Sequence, residues 1–408
     1  MSQVSEFAVP PGEPLPLSWT TLIFGATSFG MLGIANAAMF ALLPDLKHAI
    51  HLTDDLVGSA IAIGLVTAFP FLVSSGWFIN RLGANRVVAA ALCCLGIGFG
   101  GMVLTGNFVQ MACALSAFWI GFQLLNVAAN AAAISMESIG RKPFMPLMHG
   151  SYSGFLAAGA IGCGMYLTSG FPFRRAYALV TGLFMTFGLV VLLVRPLPDS
   201  RAQKMATGRP LHERSLYFDL GMWAIVVVLF LGMVGDQGLL NWSTIYLRDS
   251  VGSTALMGSM GLAVLQIAMM TGRFSLLALL RKIPRRTILT GSGLLTATAT
   301  AASLSAHKDV LAIGGFFVVG LSLSVVQPLL MSIAGDRRPG RAGEVSSLIN
   351  VASFAAATAI PLIIGWSAKF FGLRAALSII IPAALLVALL GPRIDQRAGI
   401  GPRSPGAP

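Results

Sequence analysis

LGMWAIVVVLFLGMVGDQGLLNWSTIY, residues 220–246, carries a single formal charge, Asp236. The nearest other charges, Asp219 and Arg248, stand just beyond its two ends. An α-helix needs about 20 mostly apolar residues to cross a hydrocarbon core, and this stretch is long enough. It has none of the period-two alternation that marks a strand of an outer-membrane barrel. It reads as a transmembrane helix with one acid inside it, and that reading fixes the solvent for the rest of the chain.

Composition agrees. Hydrophobic residues make up 56% of the 408 and charged residues 10%, and the mean hydropathy is +0.81, far from the balance of a soluble domain. Comparable apolar runs recur along the sequence, so the expected fold class is an all-α polytopic membrane protein of twelve transmembrane helices in two six-helix halves. The expected organisation is a disordered tail at 1–17, a six-helix bundle at 18–197, a polar loop at 198–216, a second six-helix bundle at 217–392 and a tail at 393–408. The first 17 residues contain no Lys or Arg, so they lack the basic start of a signal peptide. Cys93, Cys94, Cys113 and Cys163 all fall within apolar runs and read as small hydrophobes, with neither a disulfide framework nor a metal pair implied.

Lys and Arg concentrate in loops that stay cytoplasmic. With the N-terminus placed inside, 19 of the 27 fall on cytoplasmic connections, 7 on outer ones, and Arg273 within a span. Both termini and the central loop are therefore expected in the cytoplasm. The net charge of +12 is spread over many loops, which suits contact with anionic lipid and argues against a nucleic-acid partner.

The halves repeat. AAGAI at 157–161 aligns with AATAI at 356–360, RAYAL at 175–179 with RAALS at 374–378, and Arg81 and Arg86 with Arg281 and Arg286. The offset is close to 200 residues throughout. Parallel repeats of this kind place a substrate site near the bilayer midplane between the halves, with rocking of one half against the other.

Two further stretches carry a family resemblance. GWFINRLGANR at 76–86 resembles the major facilitator loop motif G-x-x-x-D-R-x-G-x-[RK]-[RK], and NVAANAAAISMESIGRKPFMPLMHGSYSG at 126–154 resembles the fourth-to-fifth helix region of a bacterial subgroup of that superfamily. DQGLLNWSTIYL at 236–247 is similar to that subgroup's seventh-helix pattern E-G-x-x-x-D-W-S-x-x-Y-L. The subgroup includes inner-membrane transporters similar to the rhizopine-transport membrane protein of rhizobia. The resemblance implies a gating role for Gly76, Asn80, Arg81, Gly83 and Arg86, and marks His149 as the family histidine that opens the fifth helix. The sequence departs from the patterns in one direction: Asn80, Asn126 and Asn241 stand where the family has Asp, and Asp236 where it has Glu. Each Asn keeps a hydrogen-bonding oxygen and loses the charge, so the loop's charge network here would rest on its arginines. Without the family, the same loop reads as a tight turn, Gly83 supplying backbone freedom and the arginines anchoring the interface.

A charge in the middle of a span costs at least about 2.5 kcal/mol on insertion scales, so it tends to face water or a partner. Asp236 is thus the candidate for proton coupling or cation binding, with Gln237 and Asn241 extending a polar stripe one turn further. The alternative is a protonated acid serving helix packing alone. Trp119, Gln123, Asn126 and Asn130, spaced 4, 3 and 4, share one face of the fourth helix. They read as a solute-facing stripe or as interhelical glue. Asn36, Tyr152, Gln266, Gln327 and Asn350 would converge on the same cavity if the family arrangement holds. Arg273 is expected to snorkel toward the cytoplasmic surface, or else to pair within the translocation path. Trp242 is expected to pack or to join the outer aromatic belt.

No Walker A, HExxH or GxSxG sequence occurs. His48 and His51 beside Asp54 and Asp55 make only a weak metal suggestion, and no cofactor is expected. An intramembrane enzyme would need several acids, bases or ligands within the spans; a sensor would need a signalling appendage. The expected function is secondary transport, by a monomer in the lipid bilayer, of a small polar solute of polyol, sugar or amino-polyol type. Proton coupling is a natural accompaniment, and efflux of amphiphilic compounds is the runner-up.

Overall fold

In the computed structural model, residues 18–140, 144–198, 219–338 and 342–398 are described, and they are helical throughout with no strand among them. Six helices form the first half: α1 (Trp19–Ala49), α2 (Asp54–Leu82), α3 (Ala84–Leu104), α4 (Phe108–Gly140), α5 (Met145–Thr168) and α6 (Phe173–Val194). The second half comprises α7 (Leu220–Ile245), α8 (Ala255–Leu280), α9 (Arg285–Ser305), α10 (Asp309–Leu323), α11 (Val326–Arg337), α12 (Ala342–Phe371), α13 (Leu373–Leu377) and α14 (Ile380–Ala398). The expected tail at 1–17, nearly all of the central loop at 198–216, and residues 399–408 lie outside the described residues. Helix α14 runs past the expected bundle end at 392 to Ala398.

Two of the twelve expected helices are each broken in two. The tenth divides at Ser324 and Val325, the twelfth at Ser378 and Ile379. The cause is the same: Pro328 and Pro382 have no N–H to offer the carbonyl four residues back, and the ring crowds it. Four residues before them lie Ser324 and Ser378, where the helices break.

Ten segments are long and apolar enough to cross a membrane. The other two are α5, with polar residues along it, and α9, in which hydroxyl side chains alternate with alanine. Two of the α9 hydroxyls reach α10: Ser292 donates to the Ser322 carbonyl at 2.5 Å, and Thr296 bonds the Ser322 hydroxyl at 2.7 Å. Buried hydroxyls with partners of this kind tie helices together where no hydrophobic drive exists between them.

Packing repeats between the halves. Helix α3 packs on α4 and α6, as α9 packs on α10 and α14; α2 packs on α4 as α8 on α10; α1 packs on α5 as α7 on α12. The halves meet mainly through α2 with α12 and α5 with α8, pairs that exchange under the same repeat. This is the twelve-helix, two-repeat architecture expected from the sequence.

The two ends of the molecule differ. At the end of the α1–α2 turn, the Asp45 face, ion pairs join the halves: Arg248 to Asp45, Lys47 to Asp249 at 2.6 Å, and Lys369 to Asp55 at 2.8 Å. Lys47 also reaches Asp54 at 2.6 Å, and His48 lies 3.0 Å from Asp249. The aspartates beside the weakly suggested His48–His51 metal site are thus engaged by lysines. After α7 the chain widens into a π-helical turn, Tyr246–Val251, which carries Arg248 and Asp249 and closes at Gly252 with φ +79°. At the opposite end, the Arg81 face, Asp219 pairs with Arg337 and Arg338, and Arg285 pairs with Asp336, within the second half.

Candidate functional site

Helix α7 approaches its neighbours through glycines spaced three apart. A Cβ on Gly232 would come 2.9 Å from Val326, one on Gly235 2.8 Å from Leu323, and one on Gly238 3.2 Å from Ile364. These absences of side chain bring α10, α11 and α12 close around the acid at position 236. A cavity of about 20 Å³ lies there, lined by Asp236, Met233, Met269, Arg273, Ser324 and Gln327, enough for one water molecule. The break before α11 places Ser324 and Gln327 at its wall.

The acid therefore faces protein polar groups and a small cavity between helices. Gln237 donates to Asp236 Oδ2 at 3.2 Å, and Asn241 donates to the Gln237 carbonyl at 2.7 Å. Arg273, from α8, acts on Asp236 through its charge and makes no hydrogen bond among the described residues. It lines the same cavity and is exposed as a residue.

The first half contributes across the interface. Asn36 on α1 donates to the Tyr152 hydroxyl on α5 at 2.9 Å, and Tyr152 lies within electrostatic reach of both Asp236 and Arg273. The Asn36 side chain is buried, yet among the described residues its Oδ1 has no partner; Asn241 Oδ1 is in the same condition. Such orphaned acceptors are uncommon in an interior. His149 packs edge-on against Phe29, ring centroids 5.2 Å apart, also in the field of Arg273.

Not every expected residue joins this group. The α4 stripe turns inward on itself: Asn130 donates to the Asn126 carbonyl at 2.8 Å and to its side-chain oxygen at 3.0 Å. Trp119 is buried beside Phe118 and Phe122, against α2 at Gly64, where a Cβ would come 2.5 Å from its ring. Gln123 is buried on the same helix. Gly64 gives the Trp119 ring its seat against α2. Gln266 is buried on α8, two turns from Arg273 on the same face, and Asn350 on α12 is exposed. Trp242 is fully buried near Gly365, not at a lipid belt.

In the loop motif, Gly83 at φ +85° ends α2 and begins α3, a backbone conformation that favours glycine. Arg81 lies over the Trp77 ring at 5.4 Å; Gly76, Asn80 and Arg86 are exposed. The residue the sequence reading missed is Asn85. It donates to the Leu197 carbonyl at 2.7 Å and accepts from the Leu197 N–H at 2.9 Å, clamping the α2–α3 turn to the chain beyond α6. Only its place within the motif could have signalled it.

Two repeated helical halves, joined by ion pairs at one end, with an acid inside a span of the second half, have the form of a polytopic solute carrier. Comparison with known proteins agrees. The family model of the Major Facilitator Superfamily matches residues 23–361, and the chain belongs to that superfamily of transporters. An uncharacterised MFS-type transporter of Yersinia pestis is 27% identical over 396 residues, covering 95% of this chain and 97% of that one. Membrane protein MosC of Rhizobium meliloti is 25% identical over 393 residues, covering 95% and 92%. Among solved structures, the nucleoside transporter NupG superposes with TM-score 0.78 at 11% identity, covering 92% of this chain and 99% of that one. A bacterial homologue of the human lysosomal transporter Spinster, inward-facing and unoccupied, gives 0.71 at 14%, covering 95% and 98%. The D-xylose–proton symporter gives 0.69 at 14%, covering 91% and 97%.

Proposed function

We propose that this protein is a secondary transporter of the bacterial inner membrane that moves a small polar solute of polyol, sugar or amino-polyol type by alternating access, coupled to protons through Asp236. The observation that carries the reading is the position of Asp236: inside a span, in a cavity wall shared with Arg273 and Gln327, and within electrostatic reach of Tyr152, which receives the Asn36 amide from the first half. An acid beside a guanidinium can release its proton when the pair is drawn together and take one up when the pair is separated. A solute that inserts between them would couple its own binding to that exchange. The buried oxygens of Asn36 and Asn241 offer acceptors to hydroxyl or amine donors, which favours a hydroxylated solute.

With both termini placed in the cytoplasm, as the Lys and Arg distribution favours, the Asp45 face is periplasmic. Ion pairs between the halves at that face correspond to an inward-facing state. In this reading residues 18–197 and 217–392 are the two moving bodies, Gly83 and the Asn85–Leu197 clamp stiffen the first, and the arginines of the loop act at the cytoplasmic surface. One protomer contains all of these groups, which supports function as a monomer.

A second reading, export of amphiphilic compounds, is favoured by Met233, Met269 and Leu229 in the same wall, since thioethers adapt to varied apolar shapes. Uptake and efflux in proteoliposomes under an imposed pH gradient separates the two, using polyols, amino-polyols and hydrophobic cations on the parent and on Asp236→Asn. Gradient-driven movement of a polyol or amino-polyol, lost in the variant, supports the first reading. Movement of hydrophobic cations alone would replace it with the second.

A further inference from the structure

Beside the start of α7, on the Arg81 face, a groove of about 300 Å³ opens between α7, α14 and the end of α11. Its walls are apolar, formed by Ala224, Val227, Val228 and Leu390, and the arginines at its mouth are Arg337 and Arg393. The surface on either side belongs to exposed Leu220 and Trp223 on α7 and exposed Leu386 and Leu389 on α14. Large apolar side chains exposed in this density on a polytopic chain face acyl tails, so the groove opens to lipid.

The charges at the mouth do not balance. Asp219 accepts from Arg337 at 3.1 Å and from Arg338 at 2.7 Å, so one carboxylate serves two guanidiniums. Gly221 makes the first contact possible, because any Cβ there would overlap the Arg337 guanidinium at about 2 Å. Arg393 is exposed and has no carboxylate partner among the described residues. A groove that is apolar along its length and cationic at its interfacial end matches one chemistry: hydrocarbon chains ending in an anionic headgroup.

We propose that this groove is a binding site for an anionic phospholipid of the adjoining leaflet, with an acyl chain against Ala224, Val228 and Leu390 and the headgroup phosphate on Arg393. Zwitterionic lipids fit the same walls, and the uncompensated arginine selects between them. Arg337 stays with Asp219 and adds to the field at the mouth.

Native mass spectrometry of the full chain, released from mixed micelles holding phosphatidylglycerol and phosphatidylethanolamine in equal amounts, tests this. The parent is expected to retain phosphatidylglycerol about fivefold more strongly, the effect of one arginine near an anionic headgroup. Arg393→Gln should lose that preference. Ala224→Phe, which fills the groove, should release both lipids, and Val227→Trp at the rim should do so in part; circular dichroism and size-exclusion profiles check that each variant is folded. Glycerol phosphate, which has the headgroup chemistry without the chains, should not displace the bound lipid. Equal retention of the two lipids by the parent, a preference that survives Arg393→Gln, or displacement by glycerol phosphate alone would each overturn the proposal.

Discussion

Gly58 of α2 and Gly365 of α12 meet where the two helices cross near the Asp45 face. A Cβ added at Gly58 would fall 2.4 Å from the Pro361 carbonyl oxygen, and one at Gly365 would fall 2.6 Å from that of Asp54. Each glycine lies against backbone of the other half, and backbone cannot rotate away as a side chain can. Closure of this face thus depends on two missing methyl groups, with Lys369 and Asp55 pairing beside them.

Replacing Gly365 with valine should hold the halves apart at the Asp45 face while leaving each half folded. Spin labels at positions 53 and 371, both exposed, read by pulsed electron resonance, should report a longer and broader distance distribution than in the parent. An unchanged distribution would mean that the crossing adjusts elsewhere and the glycines do not govern closure.

Lys47 is the most heavily engaged cation of the latch, shared between Asp54 and Asp249, with its side chain 11% exposed. Removing one member of such a partly buried cluster leaves two carboxylates facing each other. The cost lies between that of a surface pair and that of a buried one, about 1–3 kcal/mol. Lys47→Met should lower the thermal midpoint in detergent by several degrees and favour the state open at the Asp45 face. Arg285→Gln, which removes a pair whose partners are 36% and 57% exposed, should change stability by less than about 1 kcal/mol.

Asp219 caps α7 just outside the apolar helix. Burial raises its pKa, but hydrogen bonds from Arg337, the Gly221 N–H and Arg338 outweigh that and hold it at about 2. Because the folded value lies below the unfolded one of about 3.9, the clip's stabilisation is fully present above pH 4 and is lost as pH falls from 4 toward 2. Asp219→Asn should therefore lower stability near neutrality by on the order of 1–2 kcal/mol, and the gap between parent and variant should close in acid. A gap independent of pH would show that the clip acts through helix capping alone.

Tyr152 receives the Asn36 amide from the other side of the first half. Tyr152→Phe would strand a buried donor on a side chain whose oxygen already has no partner among the described residues, at a cost of about 1–3 kcal/mol. The expected result is a raised KM for solute with smaller change in the maximal rate, measured by initial uptake into proteoliposomes. Equal loss in both Tyr152→Phe and Arg285→Gln, whose ion pair lies on the exposed Arg81 face, would reduce Tyr152 to a packing role.

How far the sequence could be read depends on the range of each signal. Span number, the repeat and the lone acid of α7 are legible because they rest on composition and on spacing within one segment. The breaks before α11 and α14 were legible in principle, through Pro328 and Pro382, although Pro44, Pro70 and Pro361 sit inside unbroken helices. What was not legible is pairing at long range: Asp45 with Arg248, Lys47 with Asp249, and Asn85 with Leu197 are fixed by how bundles pack, and no local pattern announces them. Trp119 shows the same limit. Its spacing with Gln123 and Asn126 was correct for one helical face, but the glycine that makes the seat lies on another helix.

Proton movement driven by solute tests the central claim most directly. In proteoliposomes without an imposed gradient, loaded with a pH-sensitive dye, addition of a transported polyol or amino-polyol should change lumenal pH with the parent and leave it unchanged with Asp236→Asn, although the variant still binds solute. An equal pH change with both proteins would place coupling elsewhere. Solute uptake by the parent with no pH change at all would contradict the assignment of a coupling role to Asp236.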